Sequence, residues 1–397
     1  MVSIFAIFNI ILIRLIAIRL GANPLAATAA SLIFLFATPA FAYAVNLYQH
    51  HISTFLILLS IYSLLKSDKP WSLAVVFFLC TLAIPLDYPN LFFMFPIGLF
   101  ALGRVISVNK IKNKLSTKIN IRKALALLVM IIPIVFFMWF NIESYGNPLQ
   151  LSGTLPSART TASVKDLASV SNAKTLKNQT ESTKKSALGF FQTRNILYGF
   201  YIHFISPDRG IVYYAPVVLF GVIGFTLALK KKTKMTALLI SIIGTNILLY
   251  SMWGDPWGGW AFGSRYLIPS YAILSIFIAL LLTYWGKKLI LLAIFLPVAI
   301  YSIAVNTLGA ITTSAIPPQV EVLNLEKISG VIQRYTYQRN WEFLISGQSK
   351  SFAYQTFLKN YLTPLQFYQL LTFSICVLVS GILLYYFLFL KKGEKNV

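Results

Sequence analysis

Charge is scarce in this 397-residue chain. Only 11% of its residues are Asp, Glu, Lys or Arg, where a soluble protein carries roughly 25%. With 57% hydrophobic residues, the chain could not hide its side chains in a water-soluble core and needs lipid as its solvent. Cysteine is nearly missing. Cys80 and Cys376 both lie inside apolar runs, which excludes a disulfide framework or a thiolate metal site and leaves two small buried hydrophobes. Acidic residues are few as well, 11 against 34 Lys and Arg, for a formal charge of +23. No stretch interleaves aromatics with Arg in a soluble context, so this charge does not indicate nucleic acid. The first apolar run has no basic segment before it and no clear cleavage site after it, which predicts no cleavable signal peptide.

What is present is a succession of apolar runs of membrane-spanning length. They fall near 2–20, 23–43, 49–66, 70–86, 89–104, 124–141, 211–229, 235–252, 266–284, 289–307 and 365–390. They predict an all-α, polytopic transmembrane helical bundle of about 11 spans. The tight pair 70–86 and 89–104 also fits a re-entrant hairpin. The basic residues gather in short blocks: Lys66 and Lys69, Arg104 to Lys123, Lys230 to Lys234, Lys287 and Lys288, and Lys391 to Lys395. The short loops at 43–49 and 86–90 hold no Lys or Arg, and that at 253–265 holds only Arg265. The positive-inside rule then makes the basic side cytoplasmic, C-terminus included, in a multi-pass protein of the cell membrane. This parity places Met1 outside, with nothing upstream to carry it there. The chain is read either as naturally N-out or, in preference, as starting one helix late.

Two long segments fall on the external side. Within the 141–210 loop, residues 151–188 are rich in Ser, Thr, Ala and Lys and too poor in apolar side chains to order themselves. They predict a flexible loop, with a chance-level sequon at Asn178-Gln179-Thr180. The 311–364 segment mixes aromatic and basic residues from 317 onward, as an interfacial helix or small cap would. The chain thus divides into a membrane region over 1–310, this external segment, and a last helix with a basic tail over 365–397. No internal repeat is visible.

Polar residues concentrate at the predicted external helix ends, where an ionisable group near the membrane is costly. They are His50 and His51, Asp87 and Tyr88, Ser206-Pro207-Asp208-Arg209-Gly210, and the run Trp253-Gly-Asp255-Pro-Trp257-Gly-Gly-Trp260 continuing to Gly263-Ser264-Arg265-Tyr266. A cavity there would offer cations to an anionic headgroup and indole faces to a sugar. Each also has a plainer reading. Trp and Tyr at helix ends form the interfacial belt, Asp208 and Arg209 can shape a turn, and His51 is read as structural. The tryptophan-glycine run is the hardest to explain away, because it combines close backbone approach with large flat faces.

Four places resemble the GT-C superfamily of polyprenyl-phosphate-sugar-dependent glycosyltransferases, in particular the relatives of protein O-mannosyltransferases and the aminoarabinose transferase of lipid A. These are Ala37-Thr38-Pro39 with Leu47-Tyr48-Gln49-His50; Asp87-Tyr88-Pro89; Tyr145-Gly146-Asn147-Pro148-Leu149; and the pair 206–216 and 257–266. The resemblance spans most of 1–310 and rests on motif order. It implies a GT-C-like fold and transfer of a sugar from a polyprenyl-phosphate carrier in the lipid bilayer to an acceptor on the external face. The superfamily's catalytic acidic residue lies in a first external loop that this chain does not show, so no catalytic residue is assigned. Arg265, then Arg209, and His50 are candidates for donor phosphate. Asp87, Tyr88, Asp255, Trp257, Trp260 and Tyr266 are candidates for sugar or acceptor. No cofactor is named, although a divalent metal ion near His50 is compatible with the chemistry. The rival readings are a transporter or lipid flippase, which would place ionisable groups and repeats at mid-depth, and a non-catalytic membrane assembly protein.

Overall fold

An apolar run surrounded by lipid must satisfy its own backbone, and a helix does so residue by residue. The computed structural model describes residues 2–111, 114–150, 152, 187–230, 233–285 and 288–389. The first half contains α1 (Val2–Arg19), α2 (Pro24–Phe36), α3 (Ala40–Ala44), α4 (His50–Lys66), α5 (Pro70–Leu86) and α6 (Asn90–Val105). A hairpin of β1 (Ile106–Ile111) and β2 (Lys114–Ile119) follows, and then α7 (Ile121–Tyr145). The second half contains α8 (Ile196–Phe204), α9 (Ile211–Tyr214), α10 (Pro216–Leu229), α11 (Lys234–Ser251), α12 (Arg265–Trp285) and α13 (Leu289–Ile311). It ends with α14 (Gln319–Ser329), α15 (Gln338–Ile345) and α16 (Pro364–Phe389).

Six of these, α1, α7, α11, α12, α13 and α16, are long and apolar enough to cross a membrane. The other five predicted spans correspond to apolar helices of 10–17 residues, namely α2, α4, α5, α6 and α10. The hairpin departs from the all-helical expectation. It pairs antiparallel from Ile106 opposite Ile119 to Ile111 opposite Lys114. The basic block over 104–123 alternates apolar and polar residues with a period near two, which favours a strand over a helix. Among the described residues these are the only strands, in a chain otherwise helical. The flexible loop expected over 151–188, its sequon and the basic tail lie outside the described residues, apart from Ser152 and the last residues of that stretch. The described part of the 142–210 segment, read as loop, contains the helix α8 and, before it, two short 3-10 turns at Ala187–Phe190 and Thr193–Asn195.

The helix α12 forms the centre. It is apolar on every side, and 89% of its most hydrophobic window is buried, as expected for a helix enclosed by others. Gly221 lets α10 approach it so closely that a Cβ there would lie 2.6 Å from the Leu274 carbonyl oxygen, the small-residue contact common between membrane helices. By contrast only 17% of the α7 window and 22% of the α16 window are buried. Side chains such as Phe136 and Phe373 point outward. Continuous apolar faces of that size require an apolar surround, and these helices are those of a membrane protein.

Proline sets the interruptions that matter for the site. Pro39 ends the turn after α2 and redirects the chain into α3, and Pro216 divides α9 from α10. His51, read as structural, is so. Its Nε2 donates to the Ala40 carbonyl at 2.8 Å, which leaves Nδ1 as the acceptor facing the Asn9 amide at 3.4 Å. Asn9 also donates to the His51 carbonyl at 3.0 Å, fastening α1 to α4.

Candidate functional site

The α3 turn, the start of α4, the α5–α6 turn and the 253–266 loop meet at one end of the bundle, around Arg265. A buried amide holds the turn that carries it. Asn246 on α11 donates to the Tyr266 carbonyl at 3.1 Å and accepts from the Ser270 hydroxyl at 2.5 Å. His203 on α8 supports the same turn through a 2.7 Å hydrogen bond between Nδ1 and the Ser264 hydroxyl. Gly263 stands with φ +60°, and a Cβ there would lie 2.8 Å from the Pro39 ring. Two motif segments far apart in sequence therefore touch at a position that only glycine fits.

The Arg265 guanidinium lies 4.9 Å from the centre of the Tyr48 ring and 5.7 Å from that of Tyr266, within cation–π range of both. Its Nε is buried without a hydrogen-bond partner. Tyr266 stacks flat on Tyr250, with centroids 4.1 Å apart and planes at 1°. His50 is buried, stacked on Tyr48 at 6.0 Å and edge-on to Tyr43 and Tyr266, and its Nε2 also lacks a partner. The Tyr43 phenol in turn accepts from the Phe262 amide at 2.9 Å. Asp87, in the α5–α6 turn, lies within electrostatic reach of Arg265. Burial pushes its carboxyl up to about 6, against a Gln49 hydrogen bond and the Arg265 charge that pull it down. Asp255 and Asp87 both reach Tyr266 electrostatically.

The remaining candidates separate from this cluster. Arg209 is wholly buried and fully engaged. Its Nη1 donates to Asp208 Oδ1 at 2.6 Å and to the Asp208 carbonyl at 2.9 Å. Its Nε donates to the Trp257 carbonyl at 3.1 Å, and its Nη2 donates to the Gly259 and Ile316 carbonyls at 3.1 and 2.8 Å. A guanidinium has five N–H donors. None remains for a phosphate, so the expected phosphate contact is replaced by a structural knot. Asp208 completes it by accepting from the Gln319 amide at the start of α14. Trp257 packs edge-on to Tyr198 at 5.8 Å. Trp260 donates to Glu321 Oε2 at 2.5 Å, with the Arg339 guanidinium 5.7 Å from its ring centre. Tyr88 turns away toward α7, contacting Phe137 and Ser152. With Asn141 and Tyr145 it lines a separate apolar groove of 310 Å³.

The divalent metal does not fit. His50 is walled by aromatic rings beside a cation, and among the described residues no three His, Cys, Asp or Glu side chains converge. Tyr43, His203, Asn246 and Tyr250 were not singled out from sequence. His203 lay in a segment read as loop, and the other three lay within apolar spans, where nothing marks a polar group as facing the site. No family model matches the chain, and no curated protein or solved structure matches it significantly.

Proposed function

We propose that this protein is a multi-pass membrane glycosyltransferase of the GT-C type, moving a sugar from a polyprenyl-phosphate carrier to an acceptor at the external face of the cell membrane. The observation that carries the reading is Arg265. It is a guanidinium framed by two tyrosine rings with an unmatched buried Nε, accompanied by Asp87 and His50. These residues come from three segments far apart in sequence, 48–50, 87 and 265–266.

In this reading Arg265 binds the carrier phosphate and stabilises the charge that grows on it as the anomeric C–O bond breaks. The electron pair leaves with the phosphate. The acceptor oxygen bonds to the anomeric carbon, and its proton passes to Asp87, whose raised carboxyl suits a general base near neutral pH. The Tyr48 and Tyr266 rings position the guanidinium through cation–π contact. The five shorter apolar helices complete about eleven spans.

The opposite end of the bundle supports the orientation in this reading. There Arg19 lies over Tyr62, Lys66 over Trp71 and Lys288 over Trp285, and Asp68 draws in Arg104 and Lys123. A basic belt with aromatic anchors is the cytoplasmic signature, and it supports an orientation with the Arg265 end outside and the C-terminus inside. The test is release of polyprenyl phosphate from a panel of polyprenyl-phosphate sugars by the purified chain in nanodiscs. Turnover that disappears in Arg265→Ala supports the reading. No release from any donor ends it.

A further inference from the structure

A second chamber lies behind the α3 turn. It encloses 580 Å³ between the start of α1, the end of α13 and the 350–353 turn, and is lined by Ser3, Asn46, Thr313, Ser314, Lys350 and Ser351 among others. No carboxylate contributes to its wall, and Lys350 is its one ionised residue. Lys350 pairs with no acidic group among the described residues; its ammonium lies 5.9 Å from the centre of the Phe343 ring. Tyr43 faces the Arg265 cluster on one side of the turn, and Val45 and Asn46 line this chamber on the other.

Three hydroxyls in the wall are polarised in one sense. The Thr313 oxygen accepts from the Ala315 amide at 3.1 Å, that of Ser314 from the Asn46 amide at 3.2 Å, and that of Ser351 from the Tyr354 amide at 3.4 Å. With the oxygen engaged by an N–H, each hydroxyl is left with its own hydrogen to give, and none of the three donates to a protein acceptor among the described residues. The neighbouring Ser3 and Thr312 differ, since each already donates, to the Ala44 and Leu308 carbonyls. A wall that presents donors and a cation but no carboxylate selects a ligand whose oxygens only accept. The volume exceeds that of a bare anion, and the exposed Val45 and Phe352 leave the chamber open at its rim.

We infer that this chamber binds the phosphate group of an ester, either a soluble phosphate ester or the headgroup of an anionic phospholipid. The inference does not rest on the transferase reading. The experiment uses the full chain in phosphatidylcholine nanodiscs titrated with sn-glycerol 3-phosphate, and in nanodiscs doped with phosphatidylglycerol, with glycerol as the uncharged control. Saturable binding of glycerol 3-phosphate, or selective retention of phosphatidylglycerol in native mass spectra, is expected where glycerol does not bind. The first result assigns a soluble source and the second a lipid source. The double variant Thr313→Val, Ser314→Ala should weaken binding about tenfold, and Lys350→Met should weaken it further. Ala353→Leu, at an exposed position on the rim, should obstruct entry without altering the Thr313, Ser314 and Ser351 hydroxyls. Binding by neither probe, or equal binding by all variants at unchanged melting temperature, would overturn the inference.

Discussion

Arg209 and Arg265 follow similar turns, each close to a glycine and each at the same end of the bundle, yet they stand in opposite electrostatic situations. Arg209 has every donor satisfied by Asp208 and three carbonyls, and it ties the 206–210 turn to the 257–261 loop and the start of α14. Arg265 is half-buried, flanked by the Tyr48 and Tyr266 rings, hydrogen-bonded to Tyr266, and left with Nε unmatched. Buried donors without partners are unfavourable, which is why the proposed anion site is put at Arg265, whereas the saturated arginine is a structural tie. The comparison teaches that charge and position along the chain do not separate the two roles. Hydrogen-bond completeness does.

The largest effect should come from breaking the saturated member. Arg209→Met leaves Asp208 charged without its cation in a buried place and takes a donor from the Asp208, Trp257, Gly259 and Ile316 carbonyls. A loss of about 3–5 kcal/mol is expected, seen as a fall in melting temperature or failure to purify as a monodisperse particle. A melting temperature equal to that of the parent would show the knot to be dispensable.

Arg265→Ala should behave in the reverse way. Because its losses inside the protein are one Tyr266 hydrogen bond and two ring contacts, stability should change by no more than about 1–2 kcal/mol. Turnover should fall about 100-fold or more, as when a charge-stabilising donor is removed from an active site. Comparable losses of stability in both variants would erase the contrast between them.

Asp87 sharpens the comparison through pH. Its folded carboxyl titrates near 6, above its unfolded value near 4. Between these values the native state binds the extra proton, so Asp87 makes the protein less stable as pH rises through that window, and the penalty is full above about 6. Turnover should move the other way, rising as the carboxylate forms. Asp87→Asn should flatten the stability trend between pH 4 and 6 and remove the rise in rate. A wild-type rate that is flat between pH 5 and 7 would exclude Asp87 as the base.

Much of this architecture was legible from hydropathy alone. Every run read as a span is helical, with 23–43 and 211–229 each broken in two at a proline, because an apolar run without charge has one economical way to satisfy its backbone. The 106–119 hairpin was not legible as such while its lysines were weighed for orientation rather than its alternation for structure. Arg265, Asp87 and His50 could be picked out as polar residues at helix ends. What sequence could not supply was which of their donors find partners. For Arg209 that depends on carbonyls up to 107 residues away, at Ile316. Tyr43, Asn246 and Tyr250 stayed hidden for a related reason, since a polar residue in a helix is functional or structural according to the face it presents.

The smallest effect tests whether the tryptophan-glycine loop belongs with the knot or with the open site. Trp260 is 42% exposed, gives its indole N–H to Glu321 and carries Arg339 near its ring, so it holds the loop to α14 and the start of α15. A hydrogen bond at an exposed carboxylate is worth little, and Glu321→Gln should cost no more than about 0.5–1 kcal/mol. If the loop is held mainly by Arg209 through the Trp257 and Gly259 carbonyls, Glu321→Gln leaves turnover unchanged. If the clamp on Trp260 sets where Arg265 stands, KM for the donor rises while the melting temperature stays put. Fluorescence of the indole and donor titrations on one preparation separate these outcomes, and Arg209 donating to two carbonyls of the same loop favours the first.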